Sequence, residues 1–274
     1  MPAREFHLAH LTWPEARNAI ADDPLVILPV GSTEAHGPHL PLDVDSHQVG
    51  HVAELVAERT NSLVAPTLPY GYATMWMAFP GTFTLEADTF QQVLVELGSS
   101  VLHHGFKRVM MLNGHRPNAT SIDVAARRVM DAQPPDSPAR VTAVSYWEPG
   151  ALRVHALRKS KVGGMGHACE LETSFQLATR PELVKMHTLE EVDPPLVGWD
   201  LVAPGEPART YARWPAPGKQ HPAIFGDPTV ASADSGRAFL EVVVDALTEY
   251  VAELEASEGG SYDRRRDEPS AVVR

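Results

Sequence analysis

Six apolar residues, Leu25-Val26-Ile27-Leu28-Pro29-Val30, run straight into GSTEAHGPHLPLDVD at 31–45, and this junction decides the fold. A strand with one wet face alternates apolar and polar residues. An unbroken apolar run suits a strand covered on both faces, as in a parallel sheet. Outward from it, amphipathic helices alternate with short apolar strands. LTWPEARNAI (11–20) opens with a threonine cap and an early proline and reads as a helix. Residues 44–59 carry Val49, Val52, Leu55 and Val56 at helical spacing, and 86–104 carry Phe90, Val93, Leu94, Leu97 and Val101 on one face. Further strands are read at Leu63 to Leu68, Arg108 to Leu112 and Arg140 to Tyr146. Further helices are read at about 118–132, from near Glu170, and at about 233–254. This alternation is that of an α/β fold around a mostly parallel sheet. A loop at 71–85 and a Pro- and Gly-rich passage at 188–232 lack the pattern and read as irregular surface structure. Residues 1–256 read as a single domain and 257–274 as a polar, disordered tail.

Composition narrows the function. The 274 residues can bury a sizeable core, and a hydrophobic content of 43% with 21% charged residues is ordinary for a soluble globular protein. A net charge of −12 argues against nucleic acid and anionic membranes as partners, since both need basic surface. Cys169 stands alone and has no partner for an internal disulfide, which points to a reducing cytoplasm. The start, MPAREFHLAHLTW, lacks a signal-peptide core, and no run reaches the roughly 20 apolar residues that span a bilayer. The expectation is a soluble cytoplasmic enzyme acting on a small molecule or a short peptide. Of the 13 histidines, His7, His10, His103, His104 and His187 sit in unpatterned surroundings and read as surface or loop residues.

In open α/β sheets, ligands bind beyond the carboxyl ends of the strands. After the first strand come Glu34, His36, His39, Asp43 and Asp45; after the strand at 108–112 comes Asn113-Gly114-His115. Carboxylates with imidazoles suit zinc, manganese or iron(II), and one carboxylate can bridge two ions. In an extended segment Glu34 and His36 point to the same side, and Pro38 and Pro41 hold the backbone extended ahead of Asp45. The same residues also suit a capped helix with surface ion pairs, Asp45 serving the first turn. GGMGHACELETS (163–174) adds His167, Glu170, Glu172 and Ser174 at a glycine-rich helix start. That segment too can be a cap with a satisfied histidine. Cys169 beside His167 as a nucleophile is a further reading, though a buried structural thiol is commoner.

Taken together, the segments resemble the creatininase family. GSTEAHGPHLPLDVD resembles its E-x-H-G-x-H-L-P-x-x-x-D signature, NGH its N-G-H-G-G-N turn, and HACELETS its H-A-G-E-x-E-T-S segment. FPGT (79–82) and FGDPTVAS (225–232) resemble further landmarks, so the likeness covers nearly the whole chain in order. The resemblance implies a three-layer α/β/α sandwich, a homo-oligomer (often a hexamer) and two divalent metal ions per chain, zinc foremost with manganese or iron as alternatives. It places Glu34 and His36 on opposite ions, Asp45 between both, His115 on the first ion and Glu172 on the second. It gives His167 the proton-shuttling role. A metal pair of this kind activates a water and polarises the scissile carbonyl.

Three departures from the family pattern bear on substrate. Arg116-Pro117-Asn118 replaces Gly-Gly-Asn or the Tyr-Glu-Asn of creatininases proper, so the catalytic glutamate of those enzymes is a proline here. Gly163 and Gly164 stand where they carry the Trp-Asp pair that grips creatinine, and Cys169 replaces a glycine. The metal set is retained and the creatinine pocket is not. Trp76, Met75, Met77, Trp147 and Arg116 are candidate pocket residues, with core packing the alternative for the aromatics and methionines. Arg116 suits a substrate carboxylate or phosphate, or else one of the acidic side chains. The leading function is hydrolysis of a C–N bond in a cyclic amide, formamide or small peptide. The alternatives are a scaffold that has lost catalysis, or hydrolysis of a lactone or phosphate; no G-x-x-x-x-G-K cradle for a nucleoside triphosphate is present.

Overall fold

In the computed structural model, which describes residues 5–191, 200–202, 217 and 221–256, the apolar run at 25–30 forms strand β1 (Leu25–Val30), buried along its whole length. It pairs in parallel with β2 (Ser62–Val64) on one side and β3 (Arg108–Asn113) on the other, and β4 (Arg140–Ser145) continues beyond β3. The order is β2-β1-β3-β4. Alternate residues of β1 feed different layers. Leu25 and Ile27 join one core with Met110 and Leu112, while Val26, Leu28 and Val30 join another with Met111. That is why the run is apolar throughout.

Helix α1 (Trp13–Ala19) opens the chain after a 3-10 turn, and its Thr12 and Glu15 form a capping box. Helices α2 (Val44–Arg59), α5 (Ala151–Leu157), α6 (Glu170–Thr179) and α7 (Ala233–Ala256) pack through Val52, Val154, Phe175 and Phe239 on the first core. Helices α3 (Ala87–His103) and α4 (Ala119–Asp131) cover the second face with Phe90, Leu94, Ile122 and Val129. The architecture is a three-layer α/β/α sandwich. A small antiparallel ribbon, β5 (Met165–His167) with β6 (Phe225–Gly226), lies outside the main sheet. Among the described residues, no helix is long and apolar enough to cross a membrane.

The structure departs from the sequence reading in two places. The strand expected at 63–68 ends at Val64: Ala65 N–H still donates to the Ile27 carbonyl, but the next bond to β1 runs from Leu68 N–H to the Pro29 carbonyl, three residues on instead of two, so the ladder slips around Pro66 and resumes as an isolated bridge. Helix α5 and the β5–β6 ribbon were not expected, being too short for a periodic signal. The tail at 257–274 and most of the irregular passage between 188 and 220 lie outside the described residues.

Helices α6 and α7 meet so closely that a Cβ on Gly236 would sit 1.9 Å from the Ser174 carbonyl oxygen. Gly236→Ala must push the helices apart and is expected to destabilise by about 1–3 kcal/mol, seen as a thermal midpoint several degrees lower. Gly150→Ala, whose nearest neighbour would be 3.3 Å away, is the control and moves the midpoint little.

Candidate metal centre

The sheet brings β1 and β3 side by side, so the segments after Val30 and Asn113 leave from the same end. Glycine permits the close fit there. A Cβ on Gly114 would sit 2.6 Å from the Asp45 carbonyl oxygen, and one on Gly31 would sit 2.5 Å from Ser46 Cα. The start of α2 is thereby drawn into the gap, and Asp45 reaches His36 from one side and His115 from the other. Helix α6 supplies Glu172, and the ribbon supplies His167. All six side chains are buried.

Glu34, Asp45 and His115 form one group of ligand atoms within 4.8 Å of one another, and His36, Asp45 and Glu172 form a second. The two groups share Asp45. Its Oδ1 lies 3.1 Å from His36 Nε2 and its Oδ2 2.9 Å from His115 Nδ1. Glu34 Oε2 lies 3.2 Å from His115 Nε2 and accepts the Ser32 hydroxyl at 2.9 Å. Glu34, His36 and His167 make a third grouping at the same spacing, so His167 is also within ligand reach.

The imidazole tautomers say what belongs between these groups. His36 Nδ1 faces the Glu34 carbonyl oxygen at 3.1 Å, and His115 Nε2 faces the Tyr72 carbonyl oxygen at 3.1 Å. A carbonyl only accepts, so each of those nitrogens carries the proton. The nitrogens facing Asp45 then bring either a second proton or a lone pair towards a carboxylate. Only a cation makes that contact favourable, and the proton is the smallest one available. Asp45 Oδ2 and Glu34 Oε1 also lack a well-aligned hydrogen-bond donor despite full burial. Orphaned carboxylate oxygens, imidazoles with oriented lone pairs and a shared aspartate fit a pair of divalent ions.

Titration behaviour agrees. Burial raises Glu34 and Glu172 to about 7, against the pull of nearby imidazoles. Burial opposes charge on His36, yet Asp45, Glu172 and Glu34 outweigh it and raise this imidazole to about 10. His115 is raised in the same way, chiefly by Glu34 and Asp45 against burial. Burial would raise Asp45, but His36 and His115 hold it well below the usual carboxylate range. Without metal, the cluster therefore retains protons at neutral pH.

His167 differs. Burial, reinforced by the charge of His36, lowers it well below the ordinary histidine range, so it is neutral. Its Nε2–H donates to the Ala35 carbonyl oxygen at 2.8 Å, which leaves the Nδ1 lone pair 3.7 Å from Glu34 Oε1. Trp76 stacks on it at 4.2 Å and 16°, and Phe79 and Phe225 wall the tryptophan. The next residue, Ala168, is left-handed with φ +50, a conformation the His167–Ala168–Cys169 corner requires.

Several supporting residues escaped the sequence reading. Tyr146 Oη donates to Gln48 Oε1 at 2.7 Å, and Gln48 Nε2 donates to the Glu172 carbonyl oxygen at 3.0 Å, tying α2 to α6 beside the cluster. Asn113 Oδ1 accepts the His115 N–H at 3.0 Å, and Asn118 bridges Tyr72 N–H and the Gly31 carbonyl. The available signal was a buried glutamine on the apolar face of α2, one turn after Asp45. Glu170 faces away, accepting the Lys159 and Ser160 N–H groups at 2.8 Å each. Cys169 is buried with its thiol raised well above its ordinary range by burial, so it stays protonated and is no nucleophile.

The pocket expectations divide. Trp76 meets the cluster. Trp147 is buried in the first core with Tyr146, Val154 and Leu247, its ring edge-on to Tyr146 at 5.0 Å. Arg116 begins the 3-10 turn after His115 and is half-buried.

A family model described as creatininase, creatinine amidohydrolase, matches residues 9–251. The chain is 31% identical to the creatinine amidohydrolase of Pseudomonas putida over 92% of its own length and 98% of that protein's. It is 29% identical to a mycofactocin precursor peptide peptidase of Mycobacterium ulcerans, covering 84% of this chain and 85% of the relative. A 3-dehydro-scyllo-inosose hydrolase of Thermotoga maritima is 28% identical, with 89% and 82% covered. A crystal structure of creatinine amidohydrolase superposes with a TM-score of 0.76 at 28% identity, covering 92% of this chain and 98% of that one. A mutant creatininase of Zn-Zn type gives 0.73 at 29% identity, with 92% and 98% covered. A manganese creatininase gives 0.75 at 28% identity, with 92% and 99% covered. With a family model spanning most of its length and a relative sharing almost a third of its residues, the chain belongs to the creatininase family.

Proposed function

We propose that this chain is a metal-dependent amidohydrolase that cleaves a C–N bond of a small molecule or short peptide on a binuclear centre. The observation that carries the reading is the pair of buried ligand groups sharing Asp45. Glu34, Asp45 and His115 would hold one ion, and His36, Asp45 and Glu172 the other. Zinc leads as the metal, and manganese or iron(II) also suit three carboxylates with two imidazoles. When bound, the ions supply Lewis acidity, polarising a carbonyl and bringing the pKa of a water towards neutrality.

The chain's own residues do the rest. The Glu34 and Tyr72 carbonyls fix the tautomers that aim the His36 and His115 lone pairs inwards. His167, neutral and pinned through Nε2, offers Nδ1 to take a proton from the attacking water and pass it to the leaving nitrogen. Trp76 fixes the plane of that ring and, with Phe79 and Phe225, keeps bulk water from it. Arg116, beside His115, is proposed to meet a substrate carboxylate or phosphate.

Creatinine is not the proposed substrate. Gly163 is left-handed at φ +87, and a Cβ on Gly164 would sit 2.6 Å from Ser160 Cβ. The backbone thus refuses the Trp-Asp pair that grips creatinine in creatininases proper. A cyclic amide other than creatinine, a formamide or a small peptide remains. The competing reading, a silent scaffold, rests on Pro117; against it stands the cost of burying three carboxylates with no chemical use. Assembly as a homo-oligomer, a hexamer by family likeness, and a cytoplasmic setting complete the proposal.

Three outcomes are expected. Metal analysis after zinc loading finds both sites of the buried centre filled in the wild type, and Asp45→Ala empties both; full occupancy of that centre in Asp45→Ala would refute the shared role. His167→Ala keeps the metal but lowers kcat on an amide or lactam substrate by about 10²–10⁴, whereas full metal with no turnover by the wild type of any C–N substrate favours the scaffold. Because Glu34 and Glu172 hold protons up to about 7 in the metal-free protein, metal uptake releases protons near neutrality. Affinity then rises as pH rises through 7 and falls below it, as titration calorimetry in buffers of different ionisation enthalpy will register.

A further inference from the structure

The segment EFHLAH (5–10) carries a second constellation, which shares no residue with the buried cluster. Its backbone is anchored: Val64 N–H donates to the Phe6 carbonyl at 2.8 Å, and His7 pairs with Val64 as an isolated parallel bridge on β2. A single 3-10 turn, Leu8–His10, follows and is closed by His10 N–H on the His7 carbonyl at 3.0 Å. Side chains three apart eclipse in such a turn. The two imidazoles accordingly lie side by side, tilted by 37°, with ring centres 4.6 Å apart.

Both rings turn Nδ1 to one carboxylate. His7 Nδ1 lies 2.8 Å from Glu5 Oε1, and His10 Nδ1 lies 3.1 Å from Glu5 Oε2. The three ligand atoms fall within 4.8 Å of one another. On the far side of His7, Nε2 faces Glu54 Oε1 of α2 at 3.3 Å. A carboxylate accepting from Nε2–H fixes the tautomer that leaves Nδ1 as a donor to metal, the arrangement usual behind ligating histidines.

We propose that Glu5, His7 and His10 form a surface site for a divalent transition-metal ion such as zinc, nickel or copper(II). Two imidazoles among three donors favour these ions over calcium or magnesium, which take oxygen. His10 is 61% exposed, so water has access to complete the coordination. The plainer role for Glu5 is to cap the turn, since it also accepts the His7 N–H at 2.8 Å; capping alone predicts no metal uptake.

The test uses the full chain, loaded with zinc, desalted, and then titrated with copper(II) under calorimetry and electron paramagnetic resonance. The wild type is expected to take up one further equivalent with hyperfine structure from two nitrogens. His10→Ala and Glu5→Gln are expected to lose that equivalent, and His104→Ala to keep it. No further uptake by the wild type, or equal uptake by wild type, His10→Ala and Glu5→Gln, overturns the proposal. A buried centre found empty of metal would leave this expectation unchanged, so the two failures are distinguishable.

Discussion

Glu34, Asp45 and Glu172 put three carboxylates into the interior within reach of His36, His115 and His167. Removing each such ion from water costs several kcal/mol even after relaxation, and mutual attraction repays it only when every charge is matched. This constraint governs the structure. In the metal-free chain, protons meet it: two glutamates titrate near 7 and His36 near 10. Divalent cations would meet it better, since they can face several oxygens and lone pairs at once, Glu34 Oε1 among them, which lacks a hydrogen-bond donor.

The fold serves that requirement through close approach. Parallel pairing of β1 with β3 sets two loaded turns side by side, and the missing side chains at Gly31 and Gly114 let α2 press its first turn between them. Helix α6 is held to α2 by the Tyr146–Gln48–Glu172 hydrogen-bond chain, so the carboxylates of both helices share one pocket. The ribbon then lowers His167 onto Trp76, and His167 alone among the three imidazoles is driven neutral. One imidazole is thereby set apart from the others in protonation state.

Much of this was legible in the residues. The apolar run at 25–30 announced a strand with two covered faces, and the periodicity of 44–59 and 86–104 gave α2 and α3. Spacing alone left Glu34, His36 and Asp45 open to a surface role; their burial and convergence in space exclude that role. What escaped had weak local signals. Helix α5 is seven residues long, β6 only two, and both depend on tertiary packing. Strand β2 stops short where its pairing with β1 slips by one residue around Pro66. For Trp147 the sequence left core packing and a lining position open, because a residue following a strand can turn either to the ligand side or into the helix layer; it packs in the first core. His7 and His10 looked unpatterned because their pairing arises from a 3-10 turn, whose period of three the helix and strand templates do not test.

X-ray absorption at the zinc edge addresses the shared aspartate most directly. It is best recorded on the His10→Ala chain loaded with two equivalents, so that no surface ion contributes. Two ions bridged by Asp45 predict a metal–metal scattering shell at about 3.5–4 Å together with imidazole back-scattering. An isolated zinc with no metal neighbour, or a shell of oxygens lacking imidazole, would contradict the account.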